Sequence, residues 1–120
     1  MPRNISFALT TEQFRYRTKT VTRRLGWKTL KAGDVLCACV KCMGLKPGEQ
    51  LERLGLIRVT SVRRERLDRM NATVYGAREA LLEGFPWMPG REFVQMFCSH
   101  MKCNHDTEVT RIKFEYLEEE

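Results

Sequence analysis

The segment Thr110 to Tyr116 constrains the fold most. Thr110, Ile112, Phe114 and Tyr116 alternate with Arg111, Lys113 and Glu115. A period of two places one set on a core face and the other set opposite it, which predicts a half-buried β-strand. Such a strand needs neighbours and a second layer to cover its apolar face. Further strands are predicted at Ile5 to Leu9, at Lys19 to Arg24, at the apolar run Val35 to Val40, and from Leu56 to about Arg66. In the fourth of these the alternation slips between Val59 and Val62, and a bulge near Thr60 and Ser61 repairs it.

Helical spacing interrupts the strands at three places. Thr10-x-x-Gln13 resembles a capping box opening a short helix through about Arg17. Ala77 to Glu83 reads as helix and stops at Gly84, a natural residue just past a helix end. Pro89 suits the first turn of a further helix, in which Phe93, Met96, Phe97 and Met101 form a core stripe. The order is β-α-β-β-β-α-α-β. Without regular strand–helix alternation, a doubly wound parallel sheet does not fit. The expectation is an α+β fold, with a mostly antiparallel sheet of about five strands curled into a small barrel and two or three flanking helices.

At 120 residues the chain suits one domain. We place it at residues 1–117, followed by an acidic tail at 118–120 expected to fray. The longest apolar run is too short to span a bilayer, and no signal-peptide pattern stands at the N-terminus. A cytoplasmic protein without membrane association is expected.

The formal charge is +6, unevenly spread. Residues 1–31 carry eight basic side chains against Glu12 alone, whereas the other 89 residues carry 13 basic and 14 acidic ones. A positive excess concentrated in the first quarter attracts phosphate or another anion.

Within that quarter lies Arg17-Thr18-Lys19-Thr20-Val21-Thr22-Arg23-Arg24. On a regular strand Lys19 and Thr22 point to opposite faces, but an irregular strand start brings them into one pocket. A lysine beside a threonine hydroxyl serves as base or hydrogen-bond partner once burial or a nearby cation lowers its pKa. Arg24 has the fork that binds phosphate or carboxylate through two parallel bonds. Against this stands the plain alternative that Thr-rich strands with basic flanks are common protein surfaces.

The segment resembles the signature of the ASCH family, Gly-x-Lys-x-x-Thr-x-Arg, with Lys19, Thr22 and Arg24 in its Lys, Thr and Arg positions. Later landmarks follow in the family's order: Gly33-Asp34-Val35-Leu36, the strand from Leu56, Glu83-Gly84-Phe85, and the closing strand. The family is similar in fold to PUA domains, which bind RNA, so the resemblance implies a PUA-like barrel of bacterial or phage type. Some members are hydrolases, including acetylcytidine amidohydrolases that use Lys, Thr and Glu, and a ribonuclease activity has been described. Carried over by position, Thr22 would be nucleophile, Lys19 its base or activator, and Glu83 a proton shuttle or orienting carboxylate. Arg24 would neutralise the oxyanion or bind substrate. The family's glycine is Arg17 here, which alters the mouth of the site if that position needs positive φ.

Two functions follow. One is an amidohydrolase-like enzyme acting on a modified nucleoside through Lys19, Thr22 and Glu83. The other is a non-catalytic RNA- or DNA-binding module, with Arg17, Arg23 and Arg24 on phosphates and Trp27 or Trp87 stacking on a base. A ribonuclease shares the same basic cleft. No cofactor is required by either. The five cysteines do not suggest a disulfide framework. Cys39-x-x-Cys42 has zinc-ligand spacing, and Cys98 with Cys103, or His100 with Cys103, could complete a structural zinc site. Buried thiols are the alternative.

Overall fold

A computed structural model of the chain describes residues 2–119. Five strands form one mixed sheet: β1 (Arg3–Ser6), β2 (Val21–Arg24), β3 (Val35–Cys39), β4 (Arg53–Arg66) and β5 (Glu108–Tyr116). The spatial order is β1-β3-β4-β5-β2. Three of the four pairings are antiparallel, and β1 runs parallel to β3. Three helices accompany the sheet: α1 (Thr11–Arg15), α2 (Thr73–Leu82) and α3 (Gly90–Met101). The fold is thus α+β, with a curled five-stranded half-barrel, in the element order that the sequence predicts. No helix among the described residues is long and apolar enough to cross a membrane.

The alternation in β5 decides the layering. Ile112 and Phe114 join Ile5, Phe7, Phe14, Leu36, Ala38, Ile57 and Val59 in a core held inside the curl. The opposite parity faces the helices. There Val109 packs with Leu67, Met70, Ala80, Phe93, Val94 and Phe97 in a second core. Arg23 and Arg111 are paired across β2 and β5 and lie on this side too, where Glu79 of α2 receives both side chains.

The β4 ladder shifts register between Val59 and Ser61, the place where the parity of the sequence breaks. Several local details differ from the sequence reading. β2 begins only at Val21, and α1 ends at Arg15. The helix ends early because Arg17 turns left-handed, at φ 59°, and its N–H donates to the Phe14 carbonyl. Thr10 does precede α1, but its side chain makes no capping bond. Thr11 Oγ1 donates to the Phe7 carbonyl instead, at 2.8 Å. The acidic tail folds back: Glu118 pairs with Arg17, and Glu119 with Arg53. Glu120 lies outside the described residues.

Candidate active site

β1 and β2 are the two edges of the sheet. Curling brings the segment after β1 towards β2, and α3 and the end of α2 close over the gap. The result is a cavity of about 230 Å³ lined by residues from all of these segments. Lys19, Thr22, Arg23, Arg24 and Glu83 stand on its polar side. Phe7, Phe85, Phe93, Met96 and Phe97 form its apolar side, with His100 and Met101 from the last turn of α3. The α3 stripe therefore serves both the second core and the cavity wall.

The backbone fixes the polar side before the side chains do. Thr20 N–H donates to the Leu82 carbonyl at 2.9 Å, which ties the start of β2 to the end of α2. Glu83 caps α2, and Gly84 follows at φ 98°. That turn points the Glu83 carbonyl and carboxylate towards Lys19. Lys19 Nζ donates to the carbonyl at 2.9 Å and to Oε1 at 2.7 Å. Both side chains are almost wholly buried. Burial drives the Lys19 pKa down, and the Glu83 carboxylate only partly opposes it.

Glu83 is also held from its other oxygen, which accepts from Arg23 at 3.0 Å. Arg23 in turn donates to Glu79 at 2.6 Å and to Glu65 at 3.4 Å. Arg111 donates to Glu79 at 2.5 Å, and Tyr75 to Glu65 at 2.9 Å. Burial alone would lower the Arg23 pKa, but Glu83, Glu79 and Glu65 together raise it, so the guanidinium is fixed as a cation. Its Nε is a buried donor with no partner among the described residues.

Thr22 stands in the same cavity. Its Oγ1 accepts from Arg24 Nε at 3.0 Å and makes no hydrogen bond to Lys19 or Glu83 among the described residues. The three residues that the sequence proposes as catalytic therefore converge on one hollow, with the amine and carboxylate paired to each other and the hydroxyl turned to Arg24. Arg24 lies over the Phe7 ring at 4.9 Å from its centroid. Burial pulls its pKa down to about 10, against the raising influence of Glu83 and Cys42.

Of the other proposed binding residues, Arg17, Trp27 and Trp87 do not line this cavity. Arg17 is exposed beside Glu118. Trp27 packs on the inner core, with the Arg3 guanidinium over its ring at 3.8 Å. Trp87 is 99% exposed. Arg23 lines the cavity but is committed to buried carboxylates rather than to solvent.

The cysteines fall into two neighbourhoods. Cys39 lies close to Cys37 and Cys42, and burial followed by these neighbours pushes its thiol up to about 12. Cys98 lies close to Cys103, and is likewise raised first by burial. No group of three or more His, Cys, Asp or Glu side chains placed to hold a metal ion is found among the described residues.

Sequence reasoning did not find the Glu65–Arg23–Glu79–Arg111 set. Its signal was present: Arg63, Glu65 and Arg111 occupy one parity of β4 and β5. Nothing local says that a helix covers that face. A second hollow of about 550 Å³ lies at the β4 bulge. It is lined by Lys28, Lys31, Arg63, Arg64 and neutral residues, with no carboxylate in its wall.

No family model matches the chain, and no curated protein matches it. Among solved structures it is similar to the crystal structure of protein EF3133 from Enterococcus faecalis V583, of the family DUF984. The two superpose with a TM-score of 0.64 at 17% identity, over 98% of this chain and 80% of that one. At that identity the likeness speaks for the fold.

Proposed function

We propose that this is an ASCH-type domain whose cavity holds a modified nucleoside and hydrolyses an amide on it. The observation that carries this reading is the burial of a lysine–glutamate pair beside a threonine hydroxyl in one apolar-walled hollow. A buried ion pair adds little to stability compared with apolar packing of the same volume. A pair kept at a cavity wall is more readily explained by chemistry.

The pair carries one transferable proton. Moving it from Lys19 Nζ to the Glu83 carboxylate yields a neutral amine and a carboxylic acid, a base and an acid side by side. Burial lowers the Lys19 pKa and so eases the loss of the ammonium proton. The amine takes the Thr22 proton as Oγ1 attacks the acyl carbonyl, and Glu83 protonates the departing amine. Water then releases the acyl group from Thr22 by the reverse proton movements. Thr22 must first leave Arg24, whose freed Nε–H can then face the oxyanion.

The test is turnover of a panel of N-acylated nucleosides. Lys19→Ala and Thr22→Ala are each expected to reduce kcat/KM by at least about 100-fold, as loss of a base or nucleophile does. Thermal unfolding checks that both variants remain folded. Retained turnover in both rejects the mechanism.

The second reading is a non-catalytic RNA- or DNA-binding module, and the carboxylate-free hollow at the β4 bulge favours it. Lys28, Lys31, Arg63 and Arg64 line it, although Arg63 and Arg64 also pair with Glu65 and Glu108. Such binding would weaken steeply with salt. Strand cleavage of the bound RNA would point to a ribonuclease instead.

A further inference from the structure

The cavity wall holds more positive charge than the protein neutralises. Lys19, Arg23 and Arg111 each pair with a buried carboxylate, drawn from Glu65, Glu79 and Glu83. Arg24 pairs with none among the described residues. Its one side-chain hydrogen bond is the donation from Nε to Thr22, which leaves both terminal nitrogens of the fork without a partner. Glu83 lies near enough to influence it but is already bound by Lys19 and Arg23. A half-buried guanidinium in a cavity wall, with no counter-ion among the described residues, offers its free N–H donors to an anion in that cavity.

We propose that the ligand of this cavity carries an anionic oxygen group, a carboxylate or a phosphate monoester, seated on the free fork of Arg24. Its flat unsaturated body lies among Phe7, Phe85, Phe93 and Phe97. Thr22 fixes the plane of the guanidinium from Nε, and the Phe7 ring supports its face, so the fork is pre-organised for two parallel bonds. The inference rests on the reading that this cavity is the substrate site, and narrows its substrate from nucleosides in general to an anionic ring compound.

The test uses three probes of one shape: benzoate, phenyl phosphate and the neutral benzamide. Each is titrated into the whole protein in low-salt buffer free of phosphate and acetate, and the dissociation constant is read from amide shifts of Phe85, His100 and their neighbours. Either anion is expected to bind at least about tenfold tighter than benzamide. The tighter of the two identifies carboxylate or phosphate as the natural group. In Arg24→Gln the preference is expected to fall to within about threefold. Arg24→Lys keeps the charge without the fork, and an intermediate preference is expected. If Arg24→Gln does not fold, the lysine variant and the movement of the Arg24 Nε–H resonance in the wild type decide. Equal binding of benzamide, a preference that survives in Arg24→Gln, or no binding of any probe each overturns the proposal. Turnover of neutral N-acylated nucleosides without anion preference overturns it while upholding the hydrolase. Anion-selective binding without turnover of any amide upholds it and removes the hydrolase.

Discussion

At the scale of single residues, Gly84 sets the geometry of the candidate site. Its φ of 98° lies where side chains other than hydrogen are strained. A Cβ there would stand 2.8 Å from Gln13 Cγ and 2.9 Å from Gln13 Cβ, with Lys19 Cβ next at 3.5 Å. The glycine thus lets α1, the Lys19 stem and the end of α2 meet. Gly84→Ala is expected to cost about 1–3 kcal/mol through backbone strain and displacement of Gln13. The midpoint of urea unfolding measures it, and an unchanged midpoint would refute this account. Arg17 presents the opposite case, a left-handed position filled by a long side chain. The backbone there adopts the positive φ that a glycine would more easily supply. Of the site, Lys19, Thr22, Arg24 and Glu83 were legible because spacing and resemblance placed them. Arg23 was not: a charge count sees a cation but not the carboxylates that enclose it. The packing of Arg3 on the Trp27 ring was not legible either, since the two meet only in the folded chain.

At the scale of elements, two helices cross through two glycines. A Cβ on Gly76 would lie 2.0 Å from the Met70 carbonyl oxygen and 2.9 Å from Gly90 Cα. A Cβ on Gly90 would lie 1.9 Å from the same oxygen. These obstacles are backbone, which cannot swing aside as a side-chain tip can. Alanine favours a helix interior by about 1 kcal/mol over glycine. At Gly76 the clash outweighs that gain, because α2 must move off the Met70 carbonyl as well as off α3, and the second core loosens with it. Gly76→Ala is expected to destabilise by more than about 2 kcal/mol, in the range of overpacked cores. A variant as stable as the wild type by urea unfolding would show that the helices can part without cost. The element order, the β4 bulge and the α3 stripe were legible because each is a local periodicity. The parallel pairing of β1 with β3 was not, since a strand's pattern records which face is buried and not which neighbour it joins. Nor does anything local in the sequence mark Gly76 and Gly90 as a contact, because they meet only once α2 and α3 have packed.

At the scale of the whole molecule, the sheet and the helical layer are joined by charge as well as by apolar packing. Glu79 of α2 and Glu65 of β4 face Arg23 and Arg111 of the sheet across that interface. Burial by itself would raise the Glu79 carboxyl, but hydrogen bonds from Arg111 and Arg23 and their charges outweigh it and hold its pKa below 4.5. Glu65 is lowered in the same way: burial works against the shift, while Arg63, Arg23 and Tyr75 drive it. A folded-state pKa below the unfolded one means that the unfolded chain binds more protons in this range. The stabilisation is therefore full above about pH 4.5, the ordinary carboxylate value, and is lost as pH falls through the lower folded value. Glu79→Gln mimics the protonated carboxyl. At pH 7 it leaves two buried guanidinium groups short of a partner and is expected to cost about 3–5 kcal/mol. Once acid has protonated Glu79 in the wild type, the two proteins carry the same charge at this position and their stabilities converge. Urea unfolding at stepped pH between 7 and 2.5 follows the gap between them. A gap that stays constant across the series would mean that the Glu79 carboxylate's charge does not join the layers, and that packing alone holds α2 on the sheet.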